Sequence, residues 1–552
     1  MFHAFPLRCR HYLLLLLLSL LLSLPNLGKP SLWDIDEGNN AVAAREMMES
    51  GNWIVPTFNY HLRVDKPALL YWLQIAAYRL CGVDELAARL PSALAAILSI
   101  FLIYELTRLL FDPATAILAG LVLATGCAFC ASAHFANPDA LLHALTVLTL
   151  FLFWRSFAHG GRGWFIPAGV SAGLAVLAKG PVGLLLPGAV IVLFLLTCRR
   201  LRLLWDRRLV LGALIFLLVA LPWYVWVTND TKGEFLRGFV GKHNLERFLN
   251  PLENHRGPIY YYLGIVLLGF APWSAFLGLT CWYGAGKRAR DDHALAKNDG
   301  EPFPAYRFLW CWIAVYLVFF SVAATKLPNY VLPIYAPLAI LTARFLERWR
   351  RGMLKPPHWA LHASLVALAF IGLGASLGLL AAGGAIDVAG LRDRQLPGLA
   401  AWAVIGLLPM LGAGLGWWSL RRRGRGSFVG AVTAVAAVFI GTLAAFGGVA
   451  LDQHKAPRML VRWSGARQTD REVRVACYQY FQPSLVFYCG REVQILPSER
   501  EALEFLRCPL PVFLFLPETI WAELEPKVSG PHVLARHYDL YRHCQVVVVG
   551  NR

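Results

Sequence analysis

The sequence feature that most constrains the fold is a repeated series of apolar runs, each long enough to cross a bilayer. Examples are 13–24, 209–227, 361–380 and 431–451. With their flanks they match the roughly 20 residues that a membrane helix needs. Hydrophobic residues make up 57% of the chain, which excludes an ordinary soluble globular protein. The pattern therefore predicts a mainly α-helical, polytopic membrane protein.

Thirteen spans can be placed, and the charges between them predict their orientation. The spans are roughly 11–28, 90–110, 114–133, 140–158, 164–178, 182–197, 209–228, 259–282, 307–324, 331–346, 359–382, 399–419 and 428–451. Alternate connections carry arginine clusters, at 199–208, 287–290, 348–351 and 421–425. Such clusters mark cytoplasmic loops, so the net charge of +18 does not indicate nucleic-acid binding. No small-residue cleavage pattern follows the first run, which predicts an uncleaved helix with its N-terminus inside. The regions 29–90, 229–258 and the C-terminal part are then outside.

The character of the chain changes at about residue 453. Strand-like runs at 473–480, 493–496, 512–516, 533–541 and 545–549 alternate with helical patterns at 499–506 and 519–528. We therefore predict a transmembrane domain over 1–451, with juxtamembrane helices in 29–90, and a water-soluble periplasmic α/β domain over 452–552. The latter contains four cysteines: Cys477, Cys489, Cys508 and Cys544. One pair could form a disulfide, and the sequence does not indicate which two cysteines would pair.

The polar segment 29–71, after the first span, contains the adjacent acids Asp36 and Glu37. It can form two amphipathic helices, at 39–50 and 66–80, of which the second is aromatic and suited to a membrane surface. In the first, Arg45 and Glu46 are expected to lie away from the apolar side. The plain alternative is a solvated loop between membrane helices. Because connecting loops are usually short and need no helices of their own, we interpret this segment as a site.

A second acid, Asp139, follows Asn137-Pro138 at the outward end of the third span. Capping is the alternative role for Asp139, and a first-turn acid favoured by the helix dipole is the alternative for Asp36. Four cations are predicted on the same outer side, where a phosphate would need them: Lys66, Lys179, Arg256 and Lys326.

Two of these lysines lie in connections that are expected to be sunken. The spans flanking 179–181 have about fifteen residues each, or roughly 22 Å, which is short of a ~30 Å hydrocarbon layer. Irregular backbone at that depth is tolerated where it lines a cavity, and the same holds for 325–330. Snorkelling of Lys179 and Lys326 to the interface is the alternative.

The outer loop 229–258 adds His243 and His255, which could ligate a metal with Asp65 or a nearby glutamate. Their spacing matches no known ligand pattern, and hydrogen-bonded polar histidines are the alternative. No cofactor is certain, and a divalent metal stays an open alternative.

Carboxylates and phosphate-binding cations at the outer mouth of a membrane cavity suit transfer of a sugar from a lipid phosphate carrier. The leaving phosphate needs cations to stabilise its charge, and an attacking hydroxyl needs a carboxylate base.

Several motifs carry a resemblance to a known family: Val64-Asp65-Lys66-Pro67, Asn137-Pro138-Asp139, Lys179-Gly180-Pro181 and Lys326-Leu327-Pro328-Asn329-Tyr330. With the acidic pair, they resemble the protein O-mannosyltransferase superfamily of GT-C glycosyltransferases, and within it the bacterial aminoarabinose transferases. The resemblance implies thirteen spans and a periplasmic α/β domain. It also implies that Asp36 is the catalytic aspartate and Asp139 the second acidic position, while Lys66, Arg256 and Tyr330 hold the carrier phosphate.

The expected function is that of a bacterial inner-membrane enzyme whose site faces the periplasm. It would move 4-amino-4-deoxy-L-arabinose from undecaprenyl phosphate to a phosphate of lipid A, which weakens binding of cationic antimicrobial peptides such as polymyxin. The alternative within the enzyme class is transfer of another carrier-linked sugar to a protein hydroxyl or another glycan. A transporter is disfavoured, because no internal repeat is visible and the ionisable residues cluster at one face.

Overall fold

In a computed structural model the described residues are 6–159, 164–251, 255–286, 289, 292, 304–390, 392–468 and 472–551. They confirm a mainly α-helical membrane protein with a small C-terminal sheet. The first ten helices are α1 (Leu7–Ser23), α2 (Asp36–Ser50), α3 (Leu69–Cys81), α4 (Glu85–Leu110), α5 (Pro113–Ala124), α6 (Cys127–Ala133), α7 (Asp139–His159), α8 (Phe165–Lys179), α9 (Val182–Thr197) and α10 (Arg207–Asp230). Glu253 and Asn254, two further polar residues of the 229–258 loop, and the basic residues Lys287, Arg288 and Arg290 lie outside the described residues.

The remaining membrane-domain helices follow a short irregular region. A π-helix, Arg237–Glu246, lies between the helical turns Glu234–Leu236 and Arg247–Leu249. The helices after it are Tyr261–Gly269, Leu277–Gly284, Ala305–Val322, Tyr335–Arg350, His358–Ala382, Leu407–Arg421, Arg425–Thr442 and Gly448–Asp452.

Helices occupy all thirteen predicted intervals, although not all are long straight spans. Within the described chain, eight helices have the length and apolarity to cross a membrane, or ten if each of two bent pairs is one span. The pairs are α5 with α6, bent by 69°, and Tyr261–Gly269 with Trp273–Gly284, bent by 111°. Helices α8 and α9 have only 15 and 16 residues, as expected for a sunken connection. The count of thirteen crossings stays a prediction.

Local sequence signals explain where several helices begin. The Asp84 carboxylate accepts the Ala87 N–H at the start of α4, and Asp112 accepts the N–H groups of Ala114 and Thr115 at the start of α5. These aspartates are N-caps, which satisfy backbone donors that the helix cannot bond itself.

The C-terminal domain is a five-stranded mixed sheet with the order β4-β3-β5-β7-β6. The strands are β3 (Arg474–Tyr478), β4 (Gln494–Leu496), β5 (Val512–Pro517), β6 (His532–Asp539) and β7 (Cys544–Gly550); a two-stranded hairpin, β1 (Thr57–Phe58) with β2 (His61–Leu62), precedes α3. Strands β3 and β4, like β3 and β5, are parallel, and the other pairs are antiparallel. Helices Glu499–Leu506 and Glu518–Leu524 cover one face, close to their predicted bounds. Helices Ala456–Ser464 and Pro483–Cys489, which the sequence patterns did not reveal, lie on the other.

That second face shares one apolar core with the first outer segment. Ala41 and Met47 of α2 and Tyr71 of α3 pack in the same cluster as Leu485 and Val486. Burying these residues together fixes the C-terminal domain on the segment that carries the acidic pair.

Helix α2 is buried on more sides than its pattern predicts. Arg45 and Glu46 are 4% and 1% exposed, and the Arg45 guanidinium donates to the carbonyls of Val486 and Phe487. The pattern predicted only that these charges lie away from the apolar side of α2, and it did not reveal that the C-terminal domain covers them.

All eleven cysteines are free, including the four in the C-terminal domain. The expected disulfide in that domain is therefore not formed.

Candidate active site

A polar chamber of about 830 Å³ lies between the membrane helices and the C-terminal domain. The start of α2, the start of α7, the end of α8, the π-helix region and the sheet domain all contribute to its wall. The charged residues that line it are Asp34, Asp36, Asp65, Lys66, Asp139, Lys179, His243, Arg247, His255 and Arg542. The structure thus brings together most of the residues that the sequence singled out.

Asp36 is the first residue of α2, and its side chain is exposed in the chamber. Within the described part of the chain, its carboxylate has neither a hydrogen bond nor an ion pair. Because no described residue occupies this exposed carboxylate, it is available to a substrate.

Glu37, the adjacent acid, is fully buried and has every carboxylate oxygen occupied. It accepts from Arg89 at 2.8 Å (Nε) and 2.7 Å (Nη2), and from the backbone N–H groups of Ala136 at 2.6 Å and Trp33 at 2.7 Å. Arg89 also donates to three carbonyls of the 27–31 segment. This geometry makes Glu37 a structural anchor and lends no support to its predicted catalytic role.

Asp139 begins α7 and has two side-chain partners. Its carboxylate accepts from the Lys179 ammonium, and from Asn329 Nδ2 at 2.6 Å. Lys179 also lies 5.1 Å from the centre of the Tyr330 ring. The motifs at 137–139, 179–181 and 326–330 therefore meet at one point, and Asp139 does more than begin a helix.

Lys66 stands just before α3 and lines the chamber next to Asp65. No described residue forms an ion pair with its ammonium, which makes it an available cation. Asp65 is held by the buried Arg63, whose Nε donates to Oδ1 and whose Nη2 donates to Oδ2 at 2.9 Å. Burial alone would raise the pKa of Asp65, but Arg63 and then Lys66 lower it to about 2, so Asp65 is ionised at neutral pH.

Two predicted cations are placed differently. The Lys326 ammonium donates to the carbonyls of Phe320 at 2.9 Å, Ser321 at 2.6 Å and Ala323 at 2.7 Å, and so caps the helix Ala305–Val322. Arg256 is exposed and is absent from the described lining of the chamber. Arg247, nine residues earlier, lines it instead. Arg247 directly follows the π-helix Arg237–Glu246, which the sequence pattern did not reveal.

Two apolar branches share lining residues with the chamber. One adjoins Lys66, Asp139 and Lys179, and its apolar wall consists of Leu142, Val182, Leu186, Phe239, Phe248, Tyr316, Phe319, Phe320, Leu332 and Pro333. The other, of about 550 Å³, adjoins Asp36 and Asp139, and its wall includes Trp33, Ile35, Phe135, Ile265, Leu268 and Tyr335. Ile35 and Leu268 are 62% and 73% exposed, so the second branch ends at exposed apolar surface. The two branches meet at Asp139.

The C-terminal domain holds the segment that carries Asp36. The Ser484 N–H donates to the Asp34 carboxylate at 2.7 Å, and the Ser484 hydroxyl also donates to it. The hydroxyls of Tyr488 and Tyr541 accept the backbone N–H groups of Leu32 at 2.7 Å and Asp34 at 3.0 Å. Burial raises the pKa of Asp34 to about 7, although Ser484 opposes the shift. Side chains 450 to 507 residues away in sequence therefore set the position of this segment.

Metal binding is not supported by a ligand cluster in the described ranges. No group of three or more His, Cys, Asp or Glu side chains there is arranged to hold a metal ion. His243 and Asp65 both line the chamber, and burial lowers the pKa of His243. Glu253 lies outside the described residues, and dependence on a divalent metal stays a prediction.

Comparison with known proteins confirms the resemblance inferred from the motifs. Residues 65–226 match the family described as dolichyl-phosphate-mannose-protein mannosyltransferase. The chain is 31% identical over 325 residues to the undecaprenyl phosphate-alpha-4-amino-4-deoxy-L-arabinose arabinosyl transferase of Edwardsiella ictaluri, covering 57% of this chain and 56% of that protein. The corresponding transferase 2 of Proteus mirabilis is 32% identical over 345 residues, covering 60% and 59%. The chain thus spans less than two thirds of the length of these curated relatives.

The whole fold has a counterpart among solved structures. The crystal structure of ArnT from Cupriavidus metallidurans bound to undecaprenyl phosphate superposes with a TM-score of 0.80, covering 98% of each chain at 24% identity. This similarity extends through the C-terminal domain and establishes that the two proteins share one fold.

Proposed function

We propose that this protein is a bacterial inner-membrane glycosyltransferase that moves 4-amino-4-deoxy-L-arabinose from undecaprenyl phosphate to a phosphate of lipid A. The observation that carries the proposal is the chamber itself. It holds a carboxylate, Asp36, and an ammonium, Lys66, that form no ion pair with any described residue, and it adjoins two apolar branches. The relatives named for undecaprenyl phosphate-linked aminoarabinose supply the sugar and the carrier.

We assign the branch beside Lys66 to the donor carrier. Its phenylalanine-rich wall suits a polyprenyl chain, and Lys66 and Arg247 stand where the chain would meet the chamber. In the reaction the bond between the anomeric carbon and the carrier phosphate oxygen breaks, and the phosphate gains charge. A cation already in place stabilises that charge without reorganisation.

We assign the branch beside Asp36 to the acceptor. A protein hydroxyl would need a polar groove, whereas this second branch is apolar and ends at exposed hydrophobic side chains. It therefore favours a lipid acceptor over the alternative of a protein or another soluble glycan.

The acceptor phosphate oxygen forms the new bond to the anomeric carbon, and the carrier leaves as undecaprenyl phosphate. Because a phosphate is already an anion, Asp36 has little need to act as a base. Its carboxylate instead stabilises positive charge that develops at the sugar carbon. Asp139 is paired with Lys179 and hydrogen-bonded by Asn329, and it supports the part of the chamber that would hold the sugar.

We further propose that the chamber and the C-terminal domain face the periplasm, since the charge pattern predicts the arginine-rich connections on the cytoplasmic side. Adding a cationic sugar to lipid A reduces negative surface charge and so weakens polymyxin binding.

The test is reconstitution of the purified protein with undecaprenyl phosphate-linked aminoarabinose and lipid A. Mass spectrometry should show lipid A carrying one aminopentose, and Asp36→Asn should not form this product. Parallel reactions should contain a serine-rich peptide instead of lipid A. Sugar on the peptide, with lipid A unmodified, would refute the lipid acceptor.

A further inference from the structure

The C-terminal domain contributes a charged side chain to the chamber, although it lies more than 500 residues from Asp36 in the chain. Arg542 is exposed and lines the chamber with Gln482 and Tyr541. Throughout the described chain, its guanidinium has no hydrogen-bond or ion-pair partner.

The backbone that carries Arg542 is rigid. It lies in the hairpin turn between β6 and β7, where Asp539 pairs with Cys544. The Arg542 N–H donates to the fully buried Asp539 carboxylate at 3.0 Å, and the His543 N–H donates to the Asp539 carbonyl at 2.8 Å. An arginine on a fixed backbone is well prepared to bind an anion, because little freedom is lost on binding.

Arg542 stands on the Asp36 side of the chamber. The neighbouring Tyr541 accepts the backbone N–H of Asp34, two residues before Asp36. Asp34, Ile35 and Asp36 also line the second apolar branch, whereas Lys66 lines the first. Lys66 therefore lines the first branch, whereas Arg542 lines the chamber next to Tyr541, which bonds the segment that borders the second branch.

We infer that Arg542 binds an anionic phosphate of the acceptor lipid and so makes the C-terminal domain part of the acceptor site. This rests on the proposed function. Two lipid phosphates that share one chamber repel each other, so each needs its own cation. Lys66 serves the donor, Lys179 is already paired with Asp139, and Arg542 is positioned for the acceptor. Arginine suits this role because its planar fork can bind two phosphate oxygens at once.

The test is steady-state kinetics of full-length Arg542→Ala with each substrate varied in turn. The KM for lipid A should rise roughly tenfold to a hundredfold, as expected for loss of a charge-assisted contact. The KM for the sugar donor and the Kd for undecaprenyl phosphate should stay at the wild-type values, and Arg542→Lys should recover part of the loss. The matched control is Arg507→Ala, which removes an exposed arginine of the same domain away from the chamber.

Three outcomes would overturn the inference while wild-type protein still modifies lipid A. They are an unchanged acceptor KM in Arg542→Ala, an equal rise in donor KM or carrier Kd, and an equal effect of Arg507→Ala. Failure of wild-type protein to modify lipid A would instead refute the proposed function. The undecaprenyl phosphate Kd then still tests Arg542, since a weakened Kd would assign its charge to the carrier.

Discussion

Replacing each of the two adjacent acids by its amide should separate chemistry from structure. Glu37→Gln removes the charge that Arg89 faces and places an amide NH₂ among four N–H donors. At least one buried donor then faces another donor. Removing one partner of a buried ion pair costs about 3–5 kcal/mol, so folded yield and thermal midpoint should fall markedly.

The Asp36 carboxylate forms no hydrogen bond or ion pair with a described residue. The substitution Asp36→Asn should therefore change the free energy of unfolding by only about 0.5 kcal/mol or less. Its transfer rate should nevertheless fall by about 10²–10⁴, because the carboxylate charge at the reacting carbon is gone. Thermal unfolding in detergent and turnover per folded molecule measure the two effects separately.

A double-mutant cycle with Arg89→Gln sharpens the result. If Glu37 acts through Arg89, the double variant should be less destabilised than the sum of the single variants, by about 0.5–3 kcal/mol. The assignment of Glu37 to structure and of Asp36 to chemistry is refuted if Glu37→Gln keeps full stability but loses turnover while Asp36→Asn stays active.

Three further predictions follow from the site. Lys66→Ala should weaken binding of undecaprenyl phosphate about tenfold or more. Arg256→Ala is the matched control, and an equal loss of affinity in both variants would contradict the assignment of Lys66 to the carrier phosphate. Lys326→Met should lower thermal stability, because three carbonyls lose their donor, yet leave carrier affinity of the folded protein unchanged; weaker carrier binding would restore its predicted role. For Asp34, a pKa raised from 3.8 to about 7 means that the folded protein holds this proton more tightly, so its contribution to stability falls as pH rises through that window. The thermal midpoint of Asp34→Asn relative to wild type should therefore improve between pH 4 and 7, and a constant difference would show that Asp34 does not titrate there.

Local sequence patterns predicted the parts of this fold that depend on local composition. Apolar runs located the helices, and alternation located the strands of the C-terminal sheet. The position of charged residues beside predicted membrane boundaries singled out four candidates that the structure places around one chamber: Asp36, Lys66, Asp139 and Lys179.

Patterns could not decide what depends on distant partners. Asp36 and Glu37 look equivalent in sequence, and only Arg89, 52 residues after Glu37, distinguishes them by pairing with Glu37. The sequence motif indicates a phosphate-binding role for Lys326. In the structure its ammonium instead donates to carbonyls at the end of the preceding helix. Arg247, and not Arg256, is among the described residues that line the chamber, and it directly follows a π-helix that no sequence pattern indicated. Burial of Arg45 depends on a domain more than 400 residues away.

The dependence of the acidic segment on the C-terminal domain has a physical reason. The backbone from Leu32 to Asp34 precedes α2 and has few bonds of its own, so a free segment would let Asp36 move relative to the sugar carbon. Ser484, Tyr488 and Tyr541 supply the missing partners. Gly38 permits this approach, since a Cβ there would lie 2.6 Å from the Ser484 nitrogen. Electrostatic stabilisation is effective only when the charge is held before the reaction begins. Tyr541, one of these partners, directly precedes Arg542 in the turn between β6 and β7, so one domain interface holds both the segment of the carboxylate that acts on the sugar and the turn that carries the cation proposed for the acceptor.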